Sequence, residues 1–387
     1  MSFNIKYDQT RIRKHNYFML LSLIQQNKQI SRAQLATLTK MSNTSVGKIM
    51  NELIADELVI EVGQTKGTVG RRATLLEINP EGLYIIGVEI QLNTIRMAVV
   101  SLDGDIIHDT SCRFDVKEAA EAVLDTISFH ITEILQQLEQ AVRDKILAIG
   151  ISLPGLVTLP EGKTLMVPQF HWKDVEIKAH LEAQLDYIVY VDNDVRAVLL
   201  AENLFGSMSA YKNAVCIYIG SGIGGAVMIE GKMIRGHMNT LGEIGHMTLD
   251  PDGTLCECER FGCLQTFICS TELVKQAQQP IEEIYAAYYR QEDWSLKLIN
   301  RARNYLSLAV SNTVLMYNPE AILITGPMVQ GLPEILDGVD EQANDYVLGP
   351  LRDSFVLKKS VLGRDSGVIG ASALVLHEFL KTTDDLI

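Results

Sequence analysis

The 387-residue chain carries 34 Lys and Arg against 48 Asp and Glu, a net charge of −14, with 47% hydrophobic residues and six cysteines. That length asks for two or three domains with real cores. No stretch offers the roughly eighteen uninterrupted apolar residues of a membrane helix, and the opening MSFNIKYDQTRIRKHN lacks the apolar core of a secretory signal. A cytoplasmic protein with reduced thiols is therefore expected.

The charge is unevenly spread. Residues 1–80 hold eleven Lys/Arg and six Asp/Glu, net +5, which leaves −19 for the remainder. Only the head is suited to meet a polyanion. Ile12, Phe18, Met19, Leu21, Leu23 and Ile24 predict a first helix over about 11–27. Ser31 is a good N-cap for a short second helix with Leu35 and Leu38 on its apolar face. Met41-Ser42 makes a turn, and Ser42 caps a third helix whose Val46, Ile49, Met50, Leu53 and Ile54 form one buried stripe. Its other face offers Asn43, Thr44, Ser45 and Lys48 beside Ser42. Short polar residues at the start of the second helix of a helix-turn-helix pair are what a major groove accepts. After Leu58, LVIEVG and ATLLEIN read as strands around QTKGTVGRR, a wing whose Lys66, Arg71 and Arg72 are placed for phosphates or a minor groove. Residues 1–80 are thus expected to be a winged helix-turn-helix domain with double-stranded DNA as partner.

Asn79-Pro80-Glu81-Gly82 marks a break, after which LYIIGVEIQLNTIRMAVVSLDGDIIHD reads as strand, turn, strand, turn, strand, with a helical segment over about 117–142. NAVCIYIGSGIGGAVMIEGKMIRG repeats that plan. Two such units, each leading an α/β half, predict a duplicated body with a ligand cleft between its halves. The expected boundaries are 81–200 for the first lobe, with 368–387 a candidate to complete it, and 201–367 for the second. Gly220–Gly225 fits the dinucleotide fingerprint, but AVMIEGKMI continues as strand where that motif must open a helix, so it is read as a β-turn.

Between the repeats, Pro168-Gln169-Phe170-His171-Trp172 is a loop of polar and aromatic groups suited to a sugar. Val189-Tyr-Val-Asp192-Asn193-Asp194 is an apolar strand running into carboxylates, which often face a ligand crevice. Asp194 can also cap the following helix, a role that Asp192 or Asn193 fills equally well. GEIGHMTLDPDGTLCECERFGCLQT, residues 242–266, gathers His246, Cys256, Cys258 and Cys263. A Cys-x-Cys pair closes a disulfide poorly but presents two thiolates to one ion. Three thiolates and an imidazole suit a structural tetrahedral Zn2+ with no open position for a reacting water.

In order, a winged head, a Pro-Gly turn (Pro154-Gly155), an Asn-Asp pair, a Gly-Ser-Gly-Ile-Gly-Gly hairpin, Gly-Glu-x-Gly-His and a His/Cys/Cys/Cys loop span essentially the whole chain. This set resembles the ROK family of bacterial repressors and sugar kinases, and within it the branch of the xylose and N-acetylglucosamine repressors. The resemblance implies an actin-like, sugar-kinase-like two-lobed α/β body, oligomers that are commonly homodimers or homotetramers, and sugar contacts at Asn193, Asp194, Glu243 and His246. It implies for Asp194 the place of the kinases' general base, and for His246 a metal bond through one nitrogen with the other left to hydrogen-bond.

The departures from the family pattern carry as much weight. Where its kinases have Asp-x-Gly-Gly-Thr to hold ATP phosphates, this chain has Glu89-Ile90-Gln91-Leu92-Asn93, and Thr325-Gly326-Pro327 replaces the adenosine-side Gly-Gly-Gly. Phosphoryl transfer rests on positioning and charge neutralisation, so these changes imply its loss: no enzyme is expected. Gln169 and Gln265 stand where the family has a loop Asn and a Glu, and both are assigned to the effector site; Glu259 replaces a glycine. The expected function is a DNA-binding transcriptional repressor of carbohydrate-utilisation genes, modulated by a sugar or sugar derivative in the interlobe cleft. The alternatives are a ROK sugar kinase with retained activity and a repressor regulated by a protein partner.

Overall fold

In a computed structural model, residues 9–64 and 73–381 are described. The head opens with three helices, α1 (Gln9–Asn27), α2 (Arg32–Thr39) and α3 (Asn43–Ala55). Their starts follow from local hydrogen bonding. Ser31 and Gln34 form a capping box, with the Gln34 amide donating to Ser31 Oγ at 3.3 Å and the Ser31 amide to Gln34 Oε1 at 2.9 Å. Ser42 Oγ accepts from the Ser45 amide at 3.1 Å. Leu20, Leu21 and Ile24 bury against Leu35, Val46, Ile49, Met50 and Leu53. Leu38, expected on the apolar face of α2, is instead 57% exposed, because that face centres on Leu35 and Ala36, with Leu38 turned well away from it.

Strand β1 (Val59–Gln64) pairs antiparallel with β2 (Thr74–Ile78), from Val59 opposite Ile78 to Gln64 opposite Thr74, and Ile30-Ser31 adds a short third strand on Leu76 and Leu75. The hairpin tip with Lys66, Arg71 and Arg72 lies outside the described residues.

Two compact units divide the chain: residues 1–155, 160–192 and 367–387 form one, residues 156–159 and 193–366 the other. In the first, β3 (Tyr84–Gln91), β4 (Thr94–Ser101) and β5 (Ile106–Arg113) form an antiparallel meander. β6 (Ile146–Leu153) lies parallel to β3, and β7 (Val189–Asn193) follows it, giving the order β7-β6-β3-β4-β5. The predicted helical segment is α4 (Ala120–Gln137) followed by a short turn at Gln140–Arg143, and α5 (Ile177–Leu185) precedes β7. The C-terminal helix (Ser366–Leu380) lies on this sheet through a pair of facing glycines. A Cβ on Gly87 would stand 2.3 Å from the Val368 carbonyl oxygen, and one on its partner Gly150 would stand 1.8 Å from that of Ala371.

In the second unit, α6 (Asp194–Phe205) leads on from β7. The antiparallel strands β8 (Ala214–Ile219), β9 (Ile223–Ile229) and β10 (Lys232–Ile234) repeat the meander. Parallel strands β11 (Ala321–Thr325) and β12 (Val356–Lys359) extend it, giving the order β10-β9-β8-β11-β12. Read from meander to crossover strands, the two sheets have the same plan. Ile217, Ile219, Ile322 and Ile324 bury against Ile299, Leu306, Val310 and Val314 of α7 (Asp293–Tyr317). Gly220–Gly225 turns between two antiparallel strands and opens no helix.

Candidate functional site

The polar end of β7 has a divided role. Asn193 is the N-cap of α6: its Oδ1 accepts from the amides of Val195 at 3.0 Å and Arg196 at 3.3 Å. Asp192 is buried in the strand. Asp194 is the first residue of α6 and accepts one further bond, from the Val195 amide at 2.9 Å. Burial, with a smaller contribution from the nearby Glu243 charge, outweighs the backbone hydrogen bonds and Arg196 that lower it, so that its carboxyl is raised from 3.8 to about 6.

Glu243 is set in place by two devices. The buried Arg196 donates through Nη1 to Asn239 Oδ1 at 3.0 Å, and through Nη2 to the carbonyls of Asn239 at 2.6 Å and Leu241 at 3.3 Å. The loop before Glu243 is thereby tied to α6. Gly242, with φ +119, packs its backbone on Gly225, whose amide donates to the Gly242 carbonyl at 2.7 Å; a Cβ on Gly242 would lie 2.0 Å from the Gly225 oxygen. Sequence reading missed Arg196 and Asn239. The available signal was a lone cation inside the apolar run VRAVLLAENLF.

The metal-ligating set is assembled. One donor atom each from His246, Cys256, Cys258 and Cys263 lies within 4.8 Å of all the others. Cys256 Sγ is 3.7 Å from His246 Nδ1, and Cys258 Sγ is 3.6 Å from Cys263 Sγ. A tetrahedron with Zn–S bonds of about 2.3 Å has edges of about 3.8 Å, so the donors fit Zn2+. The loop is closed by isolated bridges pairing Thr248 with Cys263 and Leu255 with Phe261. Burial raises Cys256 and pushes Cys263 up to about 12. Burial also raises Cys258, but hydrogen bonds from Arg260 and the neighbouring thiols bring it down to about 6. A metal binds thiolates, so a dication held here would favour deprotonation of all three cysteines. Glu259 has φ +64, a left-handed conformation that the glycine of the family pattern would adopt freely.

Gln265 is buried beside this loop. Its Nε2 donates to Glu257 Oε1 at 2.9 Å and points at Cys256 Sγ at 3.4 Å, while its Oε1 lies toward Gly245 and Gly222. The amide nitrogen is therefore committed to the metal loop, a role open to Gln and closed to Glu. Asn193, Asp194, Glu243, His246 and Gln265 all belong to the second unit; Gln169 stands exposed in the turn Pro168–Phe170 of the first.

Near the end of β3, Glu89 is buried and accepts from Gln91 Nε2 at 2.6 Å. Its Oε1 is only 1.7 Å from where a Cβ of Gly367 would be. A carboxylate thus sits against the first turn of the C-terminal helix, where the helix dipole favours an anion. In the head, Ser42, Asn43, Thr44, Ser45 and Lys48 lie at the start of α3; all five are exposed, with Ser42 and Ser45 Oγ 2.9 Å apart.

Comparison with known proteins joins these parts. The ROK family pattern matches residues 85–378, and a winged helix-turn-helix DNA-binding pattern matches residues 17–60. The xylose repressor of Bacillus subtilis (strain 168) is 27% identical over 378 residues, covering 96% of this chain and 98% of that protein. The crystal structure of a ROK family transcriptional regulator, a homolog of the E. coli MLC protein, superposes with a TM-score of 0.81 at 27% identity, covering 96% of this chain and 97% of that one. A ROK family glucokinase from Streptomyces griseus, solved with glucose and AMPPNP, has a TM-score of 0.67 at 22% identity over 75% of this chain and 98% of its own, a likeness of fold alone.

Proposed function

The chain belongs to the ROK family, and we propose that it is a DNA-binding transcriptional repressor of carbohydrate-utilisation genes whose operator affinity responds to a sugar or sugar derivative. The observation that carries this reading is the pairing in one chain of a winged helix-turn-helix pattern with a ROK body, in the arrangement of a repressor that matches 96% of the chain. In phosphoryl transfer the backbone and a cation must neutralise the transferred group. Here the buried Glu89 carboxylate lies at the first turn of the C-terminal helix, so a phosphate placed there would meet a like charge. Asp194 stands where the resemblance puts the kinases' general base for the attacking hydroxyl.

The effector's hydroxyls are assigned to Asn193, Asp194, Glu243 and His246. Carboxylates accept the hydrogen bonds that vicinal hydroxyls donate. His246 turns Nδ1 to the thiol cluster, which leaves Nε2 for the sugar and lets a bound Zn2+ fix the ring. The zinc held by His246, Cys256, Cys258 and Cys263 is structural. Ser42, Asn43, Thr44, Ser45 and Lys48 face the operator, and a homodimer or homotetramer presents two heads to its half-sites. The effector acts by preferring one of two states with different head spacing, which requires a difference in its affinity for the two.

The test is duplex binding by the full-length protein, read by fluorescence anisotropy on the promoter fragments flanking its own gene. Xylose, glucose, N-acetylglucosamine and their phosphates are titrated in. A shift in affinity of at least fivefold with one of them is expected. No response to any sugar sinks the small-molecule reading, and ATP turnover with a sugar that vanishes in Asp194→Asn overturns the non-enzymatic one.

A further inference from the structure

Helix α3 spans 13 residues and carries Gly47 in its interior. Glycine in a helix interior is unfavourable relative to alanine, because it loses more backbone freedom on folding and covers no neighbouring backbone. Two other glycines in or beside helices have an internal reason: a Cβ on Gly367 would strike the Glu89 carboxylate, and one on Gly206, the C-cap of α6, would strike Glu202. At Gly47 a Cβ would meet nothing within 4 Å, and its φ is an ordinary helical one. Among the described residues, nothing calls for the missing methyl group.

Its surroundings point outward. Asn43, Thr44 and Asn51, at the i−4, i−3 and i+4 positions, and Lys48 at i+1 are exposed, whereas Val46, Ile49, Met50 and Leu53 are buried on the core side of the helix. Gly47 is half-buried on the flank of the solvent face of α3, bordered by short polar side chains and by the exposed Lys48. Arg32 of α2 reaches the same face, donating from Nη2 to Asn51 Oδ1 at 3.2 Å and to Glu61 Oε1 at 2.9 Å, which holds Asn51 low against the helix surface.

We propose that Gly47 is the point of closest approach between α3 and the DNA groove, where the helix backbone itself seats against the duplex and a Cβ would hold it off. The inference rests on the head being a DNA-binding domain and adds the contact geometry at that face. The charge supports DNA over a protein occupant: the head is net +5 in a chain that is net −14, with Lys48 beside the glycine. Seating of the backbone explains why the flanking residues are Asn and Thr, whose short side chains reach base edges only when the helix lies deep.

The experiment compares wild type, Gly47→Ala and Gly47→Gln as full-length proteins. Gly47→Ala is expected to leave the thermal midpoint unchanged or raised, since alanine favours helix and has open space. Its affinity for the promoter duplex that wild type binds is expected to fall at least tenfold, and that of Gly47→Gln further. Affinity for an unrelated duplex changes less than threefold and the salt slope stays the same, because phosphate contacts remain. Equal promoter affinity in Gly47→Ala overturns the inference, as does a lowered thermal midpoint, which would mean that the methyl meets something within the protein. Wild-type protein that binds no duplex removes the DNA-binding reading itself. A Gly47→Ala variant that binds duplex normally but loses a protein captured by wild type assigns the face to that partner instead.

Discussion

At the scale of single residues, Asp194 and Glu259 each carry a conformation or charge that folding does not favour. The Asp194 carboxyl, raised from 3.8 to about 6 by burial and by Glu243, binds its proton more tightly in the native state than in the unfolded chain. Between about pH 4 and pH 6 the native state holds the extra proton, so stability falls as pH rises through that window. Above it the ionised group costs up to about 3 kcal/mol, because a tenfold change in proton affinity is worth about 1.4 kcal/mol. Asp194→Asn is therefore expected to raise the thermal midpoint at pH 7.5 and leave it little changed at pH 4.5, while weakening effector binding at least tenfold. Melting curves at the two pH values together with calorimetry on the sugar check both halves; an unchanged midpoint at pH 7.5 would show that the carboxylate is not destabilised by its site.

Glu259, at φ +64, holds a backbone conformation disfavoured for L side chains by about 1–2 kcal/mol. Glu259→Gly should stabilise the protein by about 1 kcal/mol in urea denaturation, reduced by the extra freedom that glycine gives the unfolded chain. The two residues also mark what was legible. The caps Ser31 and Ser42 were readable because their bonds close over three residues of chain. The Arg196–Asn239 tie spans 43 residues, and nothing in the local pattern names its partner. The lie of Glu89 on Gly367 depends on how the C-terminal helix docks, which no motif reports.

Among the elements, the residue 242–266 loop was the most readable, since four ligands with zinc spacing specify their own juxtaposition whatever surrounds them. The strand meanders were readable too, from apolar runs broken by Asp103-Gly104 and Glu230-Gly231. The sheet orders were not, because β3 pairs with β6 and β8 with β11 across long separations that periodicity does not encode. The loop also yields the firmest expectation at this scale. Hydrogen bonds from Arg260 and the neighbouring thiols lower Cys258, which favours the thiolate form that a metal binds. Purified protein should contain about one zinc per chain, and Cys258→Ser or exhaustive chelation should lower the thermal midpoint by several degrees. Because His246 is shared between metal and effector in the proposed site, and Gln265 bridges Glu257 and Cys256, the same variant should lose at least tenfold in effector affinity. Elemental analysis and calorimetry separate the cases: zinc lost with effector affinity kept would make the metal a scaffold for the loop alone.

For the molecule as a whole, the question is how a change in the body reaches the head, and the first unit contains a continuous route. The C-terminal helix begins where Gly367 meets Glu89 at the end of β3 and where Ser152 Oγ of β6 donates to the Gly367 carbonyl at 3.4 Å. It ends at Phe379, whose ring meets Phe18 of α1 edge to face, centroids 5.1 Å apart. Fifteen residues at about 1.5 Å each make a rod of about 22 Å between the tips of the body's central strands and the first helix of the DNA-binding head. A second tie runs beside it, with Lys145 Nζ on Glu57 Oε2 at 2.7 Å and on the Glu81 carbonyl at 2.9 Å, but that pair is exposed and water competes for it. The aromatic contact is then the stronger coupling element, worth about 1 kcal/mol. Phe379→Ala should speed amide exchange in α1 roughly fivefold, the factor that about 1 kcal/mol allows, and should shrink the effector-induced change in DNA affinity at least threefold. Zinc content and effector affinity, whose proposed residues lie in the second unit, should stay at wild-type values. Lys145→Ala should do the same more weakly, and less so at high salt. Unchanged exchange in α1 together with an undiminished effector response in Phe379→Ala would mean that the signal reaches the head by another path, and the helix would then be an anchor without a part in the switch.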